Sequence, residues 1–433
     1  MEPKKPSLPT TLPTLEDLKK VHPEKAELML EVQQKSQKAF SKSLSYMKDK
    51  RYFQNNYSLR PDALETAFQR YSDMIMQKGE GRNPYVYGEL KDSLRKNIAG
   101  WIGSKRPEDI TLGYNATTFL GQLLTNFWGK PLRILTSDQE FYGTVRILAR
   151  LKEIPGNTVT EVPIEPWKDF HERVLKEANS GEYDLAIFSH VFFKSANVLD
   201  DLDVLVKELK QKIPRVLVDG SAAFGNLPVD KQLGHVMDEI YYIGGIYKFV
   251  GSGEGFAFMS LPKGCDDRPV LTGWLFGDYT DESQYYTKPL YYSNDGDRYA
   301  NSTSELSIWV RTNDIIEYFD KEGFTVDMKN QYTQILQDYM IKRLDEAKVS
   351  FLGSKNLVSH FGKWRPLQTA FDLKDEKLTA AALVKELEKY GIVPDFRGSR
   401  IRLCPAIYHT IFDIDYLVDV LKEIDRNLVD DKQ

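Results

Sequence analysis

A chain of 433 residues, 41% hydrophobic, 28% charged and 12% aromatic, is too long for one small core and has the composition of an ordinary soluble protein of two domains, or of one large domain with a satellite. A net charge of −5 with no basic stripe argues against a nucleic-acid partner, and no run approaches the roughly 18 apolar residues of a membrane span. Two cysteines, Cys265 and Cys404, exclude a disulfide framework and suit a reducing cytoplasm.

The opening "MEPKKPSLPTTLPTLEDLKK" has basic residues with no apolar core behind them, so no secretory signal is expected. Up to about residue 50 the chain is Lys/Glu-rich with helical spacing ("LEDLKKVHPEKAELMLEVQQKSQKAF"), its charges lining a solvated face. From about residue 110 short apolar strands follow one another: "DITLGY", "RILTSD", "DLAIFSHV", "RVLVDG", "EIYYIGG" and "GFAFMSL". Helix-length segments such as "TTFLGQLLTNFW" and "LDVLVKELKQKI" lie between several of them, a rhythm that predicts a mostly parallel sheet covered on both faces. After Leu261 come some 40 irregular residues rich in Tyr, Asp and Gly, too long for a plain connector. Helical patterns return near Glu305, and the end reads strand ("PLQTAFDL"), helix ("TAAALVKELEKYG"), strand ("RIRLCP"), helix ("DIDYLVDVLKEIDRNL"). The expected organisation is a helical segment at 1–60 packing with the small domain, a large doubly wound domain at 61–315, and a small α+β domain at 316–433.

In parallel sheets ligands sit at the carboxyl ends of strands, so the residues just after each strand carry the information. After "TLGY" come Asn115, Ala116, Thr117 and Thr118 and then an apolar helix: an anion site suited to phosphate, or a simple N-cap. After "RILTSD", Glu140-Phe141-Tyr142 places an aromatic beside that site; alone, Phe141 reads as core. "RVLV" ends in Asp219, a carboxylate that needs a cation or donor at a desolvated strand end. "YYIGGIY" ends in Lys248, followed by Gly251, Gly253 and Gly255, which would let a planar ligand approach the amine. A phosphate site, an aromatic over a ring, a carboxylate for a pyridinium nitrogen and an imine-forming lysine are together what pyridoxal 5'-phosphate needs.

The same residues carry a resemblance. The chain resembles class V aminotransferase-fold enzymes, the pyridoxal-phosphate group that includes kynureninase, cysteine desulfurase and isopenicillin N epimerase. Its second half is similar to kynureninase. "IYKFVGSGEGFAF" resembles that family's Tyr-Lys-Tyr-Leu segment, and "GIVPDFRGSRIRLCPAIYHT" its Asp-Phe-Arg…Ile-Arg-Leu-x-Pro ending. "LTGWLFG", "DRYANSTSE" and "IFSHVFFKSA" resemble its Gly-Trp-Trp, Arg-x-x-Asn and Ser-His-Val segments. "YFQNNYSLRP" is a degraded Asn-Ser-Leu-Gly, and "GRNPYVYG" is similar to isopenicillin N epimerase-like relatives. The resemblance implies the aspartate aminotransferase fold (fold type I), a homodimer with a shared active site, and these roles: Lys248 as imine lysine and proton shuttle, Asp219 at the pyridinium nitrogen, and Phe141 on the ring. It also implies that Thr117, Thr118, Tyr247 and Trp274 bind the cofactor's phosphate, beside Asn115 and Ala116 of the same helix start, that Asn301 binds cofactor and substrate at a subunit interface, and that Arg402 clamps the substrate carboxylate. Without the resemblance, Arg402 reads as a strand-edge salt bridge, and Trp274 and Asn301 as loop packing.

The chain departs from the family in places. Where His or Gln usually touches the cofactor's phenolic oxygen stands Ala222, with Ser221 beside it. "SHVFFKSA" offers Phe192 and Lys194 where a polar partner and a Thr-Gly pair are common. The function expected is side-chain cleavage of a free α-amino acid, of the kynureninase or β-lyase kind. Transamination or epimerisation at the same site is the alternative, and a non-catalytic relative that has kept the fold is the alternative of another class. Nucleotide binding through "GSGEG" is excluded, because those glycines precede a strand rather than a helix.

Overall fold

The computed structural model describes residues 6–54, 59–277, 280–373 and 378–430; most of the "NNYSL" stretch lies outside them. The chain divides into two units. One comprises Leu64–Phe193 and Val198–Glu317, the other Met1–Ala63, Lys194–Asn197 and Tyr318–Gln433.

The larger unit is built on seven strands: β1 (Ile110–Gly113), β2 (Arg133–Ser137), β3 (Thr158–Val162), β4 (Leu185–Ser189), β5 (Arg215–Asp219), β6 (Tyr241–Gly245) and β7 (Ala257–Ser260). They lie in the order β1-β7-β6-β5-β4-β2-β3. Neighbouring strands are parallel except where β7 runs against both β6 and β1. Six of the seven lie within the expected apolar runs. The seventh, β3, was not anticipated: "TVTEV" is polar and half exposed because it pairs with β2 alone, at the sheet edge.

Side chains alternate across a strand, so register decides which residues share a face. Ile187 pairs with Leu217, and Leu217 with Tyr241. These residues join Ile134, Ile243 and Met259 in one buried cluster, covered by Phe119, Leu120 and Leu123 of helix Ala116–Leu124 and Leu148 of helix Tyr142–Lys152. Two residues further along the same face, Ser189 pairs with Asp219, and Asp219 with Ile243. Period-2 alternation therefore places the Asp219 carboxylate on the helix-covered face, where the apolar pattern stops.

Among the described residues, 262–306 hold no α-helix or strand, only short turns at Glu282–Tyr286 and Gly296–Tyr299. The stretch is held to the sheet by buried Asp267, which accepts from Arg215 Nη2 at 2.6 Å, Tyr241 Oη at 2.7 Å and the Tyr299 hydroxyl.

In the other unit, helix Val326–Ala347 packs on helices Ala26–Ala39 and Ile411–Asp430. A three-stranded antiparallel sheet orders Asp395–Arg397, Arg400–Arg402 and Ala370–Asp372, and Arg51–Tyr52 pairs in parallel with Ile392–Val393.

Candidate active site

A cavity of about 250 Å³ opens at the strand ends of the larger unit. The carboxyl ends of β1, β4, β5 and β6 contribute Tyr114, Ser189, Asp219 and Gly245. Strand β7 runs the other way, so it contributes its first residue, Ala257.

The first wall is the start of helix Ala116–Leu124. Asn115 caps it from an extended backbone, its side chain accepting from Thr118 N at 2.9 Å. The cap satisfies one N–H; those of Ala116 and Thr117 have no intrahelical acceptor, and both residues line the cavity. The N-cap and anion readings of this stretch are therefore compatible. Thr118 stays off the wall, its hydroxyl donating to Asn115 Oδ1 at 3.1 Å. Thr144, unremarked in the sequence, is on it.

The second wall carries Asp219, whose Oδ1 accepts from Ser221 N at 2.9 Å while its carbonyl accepts from His190 N at 2.9 Å. Lys248 is 7% exposed and projects its Nζ to 5.9 Å from the Phe141 ring centre and 5.8 Å from that of Tyr247. Phe141 is 42% exposed, which removes the core reading for it. Its ring meets Phe193 edge-on at 5.2 Å. All three glycines after Lys248, Gly251, Gly253 and Gly255, have φ of 81°, 107° and 90°, a region L side chains avoid, so the turn of the chain requires each of them. Gly245 and Gly255 are the ones on the cavity wall.

The segment after β4 corrects one expectation. Phe192 does not face the cavity; it is buried among Trp167 and Phe170, 5.8 and 5.4 Å away. Val191 and Phe193, on either side of it, line the wall instead. Lys194 belongs to the other unit, where its carbonyl accepts from Arg400 Nη1 at 3.0 Å. Ala222 does line the cavity and brings no side-chain polar atom.

Sequence reasoning also passed over Glu140. Its carboxyl is buried, accepts from Ser137 Oγ at 2.6 Å and from the hydroxyl of cavity-lining Ser189, and is pushed up to about 7 by that burial. His190, beside Ser189, is neutral at ordinary pH: burial lowers it to about 4, and its Nε2 lies 2.7 Å from Gln232 Oε1.

The structure does not bring Trp274 or Asn301 to this cavity. Asn301 lines a neighbouring one with Tyr87, Leu275 and Trp309, and Tyr114 is common to both. Trp274 packs edge-on against Tyr87 at 5.9 Å and donates from Nε1 to Thr303 Oγ1 at 3.1 Å. Arg402 lies in the other unit, 2% exposed and ion-paired with Asp395.

No family model matches the chain. Curated relatives do. A kynureninase of Geobacillus thermodenitrificans is 22% identical over 418 residues, covering 89% of this chain and 94% of its own. One from Bacillus cereus is 24% identical over 365 residues, covering 80% of each. Among solved structures, a cystine C–S lyase bound to its product cysteine persulfide superposes with a TM-score of 0.73 at 20% identity, covering 88% of this chain and 99% of its own. A cysteine desulfurase from Thermococcus onnurineus gives 0.72 at 17% identity, covering 91% and 98%. The chain thus has the fold expected from its sequence, that of fold type I, class V pyridoxal-phosphate enzymes, and its curated homologues over most of its length are kynureninases.

Proposed function

We propose that the protein is a pyridoxal 5'-phosphate-dependent enzyme that cleaves the side chain of a free α-amino acid, in the manner of kynureninase or a β-lyase. The observation that carries this reading is the convergence of Lys248, Asp219 and the start of helix Ala116–Leu124 on one cavity, in a chain whose relatives are kynureninases. The donor set fits the cofactor. A helix N-terminus with Thr117 suits its phosphate, a carboxylate its ring nitrogen, an exposed aromatic its ring face and a buried amine its aldehyde. Bound there, the cofactor supplies an electron-poor ring conjugated to the carbon that loses its proton.

The chain's own residues do the rest. The Asp219 carboxylate keeps the ring nitrogen protonated, since an adjacent anion favours the charged form. Lys248 Nζ would hold the cofactor and, once the substrate's amine has displaced it, would take the proton from the substrate α-carbon. Ile187, Val191, Leu217 and Ile243 keep water from the reacting carbon. The resemblance assigns the substrate carboxylate to Arg402, whose planar guanidinium suits bidentate binding. In this reading the enzyme is a homodimer, and Trp274 and Asn301 serve the partner's cavity rather than their own.

Two measurements on one sample test the proposal. Kynurenine added with cofactor should release anthranilate, seen by its fluorescence. Borohydride reduction followed by peptide mass spectrometry should find the cofactor on Lys248, and none on Lys248→Ala protein. Cofactor on Lys248 without anthranilate leaves the cofactor reading, refutes kynurenine cleavage and points to transamination, epimerisation or another leaving group. No attachment at Lys248 refutes the whole.

A further inference from the structure

Ser221 stands two residues after Asp219 and lines the cavity of Lys248. Its backbone N–H is spoken for by Asp219 Oδ1. Its hydroxyl oxygen is buried and, among the described residues, has no hydrogen-bond partner; no other buried side-chain polar atom of the cavity wall shares that condition. Ser189 donates to Glu140, and Asn115 accepts from Thr118. Buried hydroxyls are rarely left unmet, so one on a residue of the cavity wall marks a place where a ligand atom belongs. The position is narrow. A Cβ on Gly245 would come within 3.4 Å of Ser221 Oγ, so the hydroxyl lies against the end of β6, the strand that leads into Lys248.

The ligand offers the complementary vacancy, on the cofactor reading proposed above. Pyridoxal phosphate presents a phosphate, a ring nitrogen, an aldehyde and a phenolic oxygen to its surroundings. The helix start, Asp219 and Lys248 answer the first three. The phenolic oxygen sits on the ring carbon next to the one bearing the aldehyde, so its partner must lie near the lysine's strand. We infer that Ser221 is a cofactor-binding residue whose hydroxyl donates to the phenolic oxygen of pyridoxal phosphate, a contact that Ala222 has no side-chain atom to make.

The test is a binding titration on the full chain, stripped of cofactor by dialysis and followed by quenching of tryptophan fluorescence. Wild type, Ser221→Ala and Ser221→Thr are each titrated with pyridoxal phosphate and with 3-deoxypyridoxal phosphate, which lacks the phenolic oxygen. Ser221→Ala should bind pyridoxal phosphate about 5–20-fold more weakly, the size of one hydrogen bond, and bind the deoxy compound as wild type does. Ser221→Thr, which keeps the hydroxyl, should retain the discrimination. Equal loss for both compounds, or loss for neither, overturns the assignment while leaving the cofactor reading intact. If wild type binds neither compound, the cofactor reading falls and this inference with it.

Discussion

The hydroxyl of Ser189, at the end of β4, bonds the buried carboxyl of Glu140, which follows β2. Adjacent parallel strands bring together two residues 49 positions apart, and place a second carboxyl behind the cavity wall that carries Asp219.

That pairing has a pH signature. Burial pushes the Glu140 carboxyl up to about 7 from its ordinary 4.5, so the folded protein holds this proton more tightly than the unfolded chain. Stability from Glu140 is therefore fullest below about pH 4.5 and declines as pH climbs to about 7, by about 3 kcal/mol in all. Buried His190, lowered to about 4, works the other way: its neutral form gains ground as pH rises from about 4 towards 6.5. Subtracting the Glu140→Gln profile isolates the carboxyl. Denaturant unfolding from pH 4.5 to 8 should show wild type losing about 3 kcal/mol relative to the variant; a flat difference would mean that Glu140 is ionised throughout.

Gly220 is a steric requirement. A Cβ there would sit 2.0 Å from the Tyr242 hydroxyl, which lies 3.2 Å from His190 Nδ1. Gly220→Ala should destabilise by about 3 kcal/mol, as overpacking does. Gly100→Ala, exposed in helix Lys91–Ile102 with nothing within 4 Å of the new atom, should stabilise by about 0.5–1 kcal/mol. Chemical denaturation of the two variants side by side decides whether the close contact or glycine loss in general is responsible.

Phe141→Ala separates packing from ligand contact. A ring 42% exposed contributes little to the core, so thermal unfolding of cofactor-free protein should barely move. Affinity for pyridoxal phosphate should fall about 3–10-fold, the worth of one stacked ring. A large drop in melting temperature with unchanged affinity would return Phe141 to the role of a packing residue.

Arg402→Ala should raise KM for the amino acid by about 30-fold or more, the cost of losing a desolvated ion pair. The variant takes one of two cations from Asp395, which keeps its ion pair with Arg397 at 2.5 Å, so the double variant with Asp395→Ala serves as the control in steady-state kinetics. An unchanged KM in the double variant would place the carboxylate clamp elsewhere.

Strand ends were legible because buried parallel strands are continuous apolar runs and end abruptly in polar residues; that is how Asp219 and Lys248 stood out. Edge strand β3 was not, since half of it faces water and its pattern is polar. The Phe192 reading failed for a related reason: beyond Ser189 the chain leaves the ladder, and alternation no longer tells which of Val191, Phe192 and Phe193 turns inward. Glu140 could be quoted from the sequence but not understood, because its partner Ser189 is a neighbour only through the sheet.

The reversal of β7 has a consequence for how such a site can change. Gly245 and Ala257 are direct partners, so the segment bearing Lys248 leaves the sheet and returns to it at one point, like a handle riveted at both feet. The middle of the handle is held as well: the carbonyl of buried Ser252 accepts from Arg311 Nη1 and its hydroxyl from Thr312, each at 3.0 Å. The lysine keeps its station because both feet and the middle are held, and exposed Glu254 and Gly255, at the cavity's rim, are where the handle can change length with least disturbance.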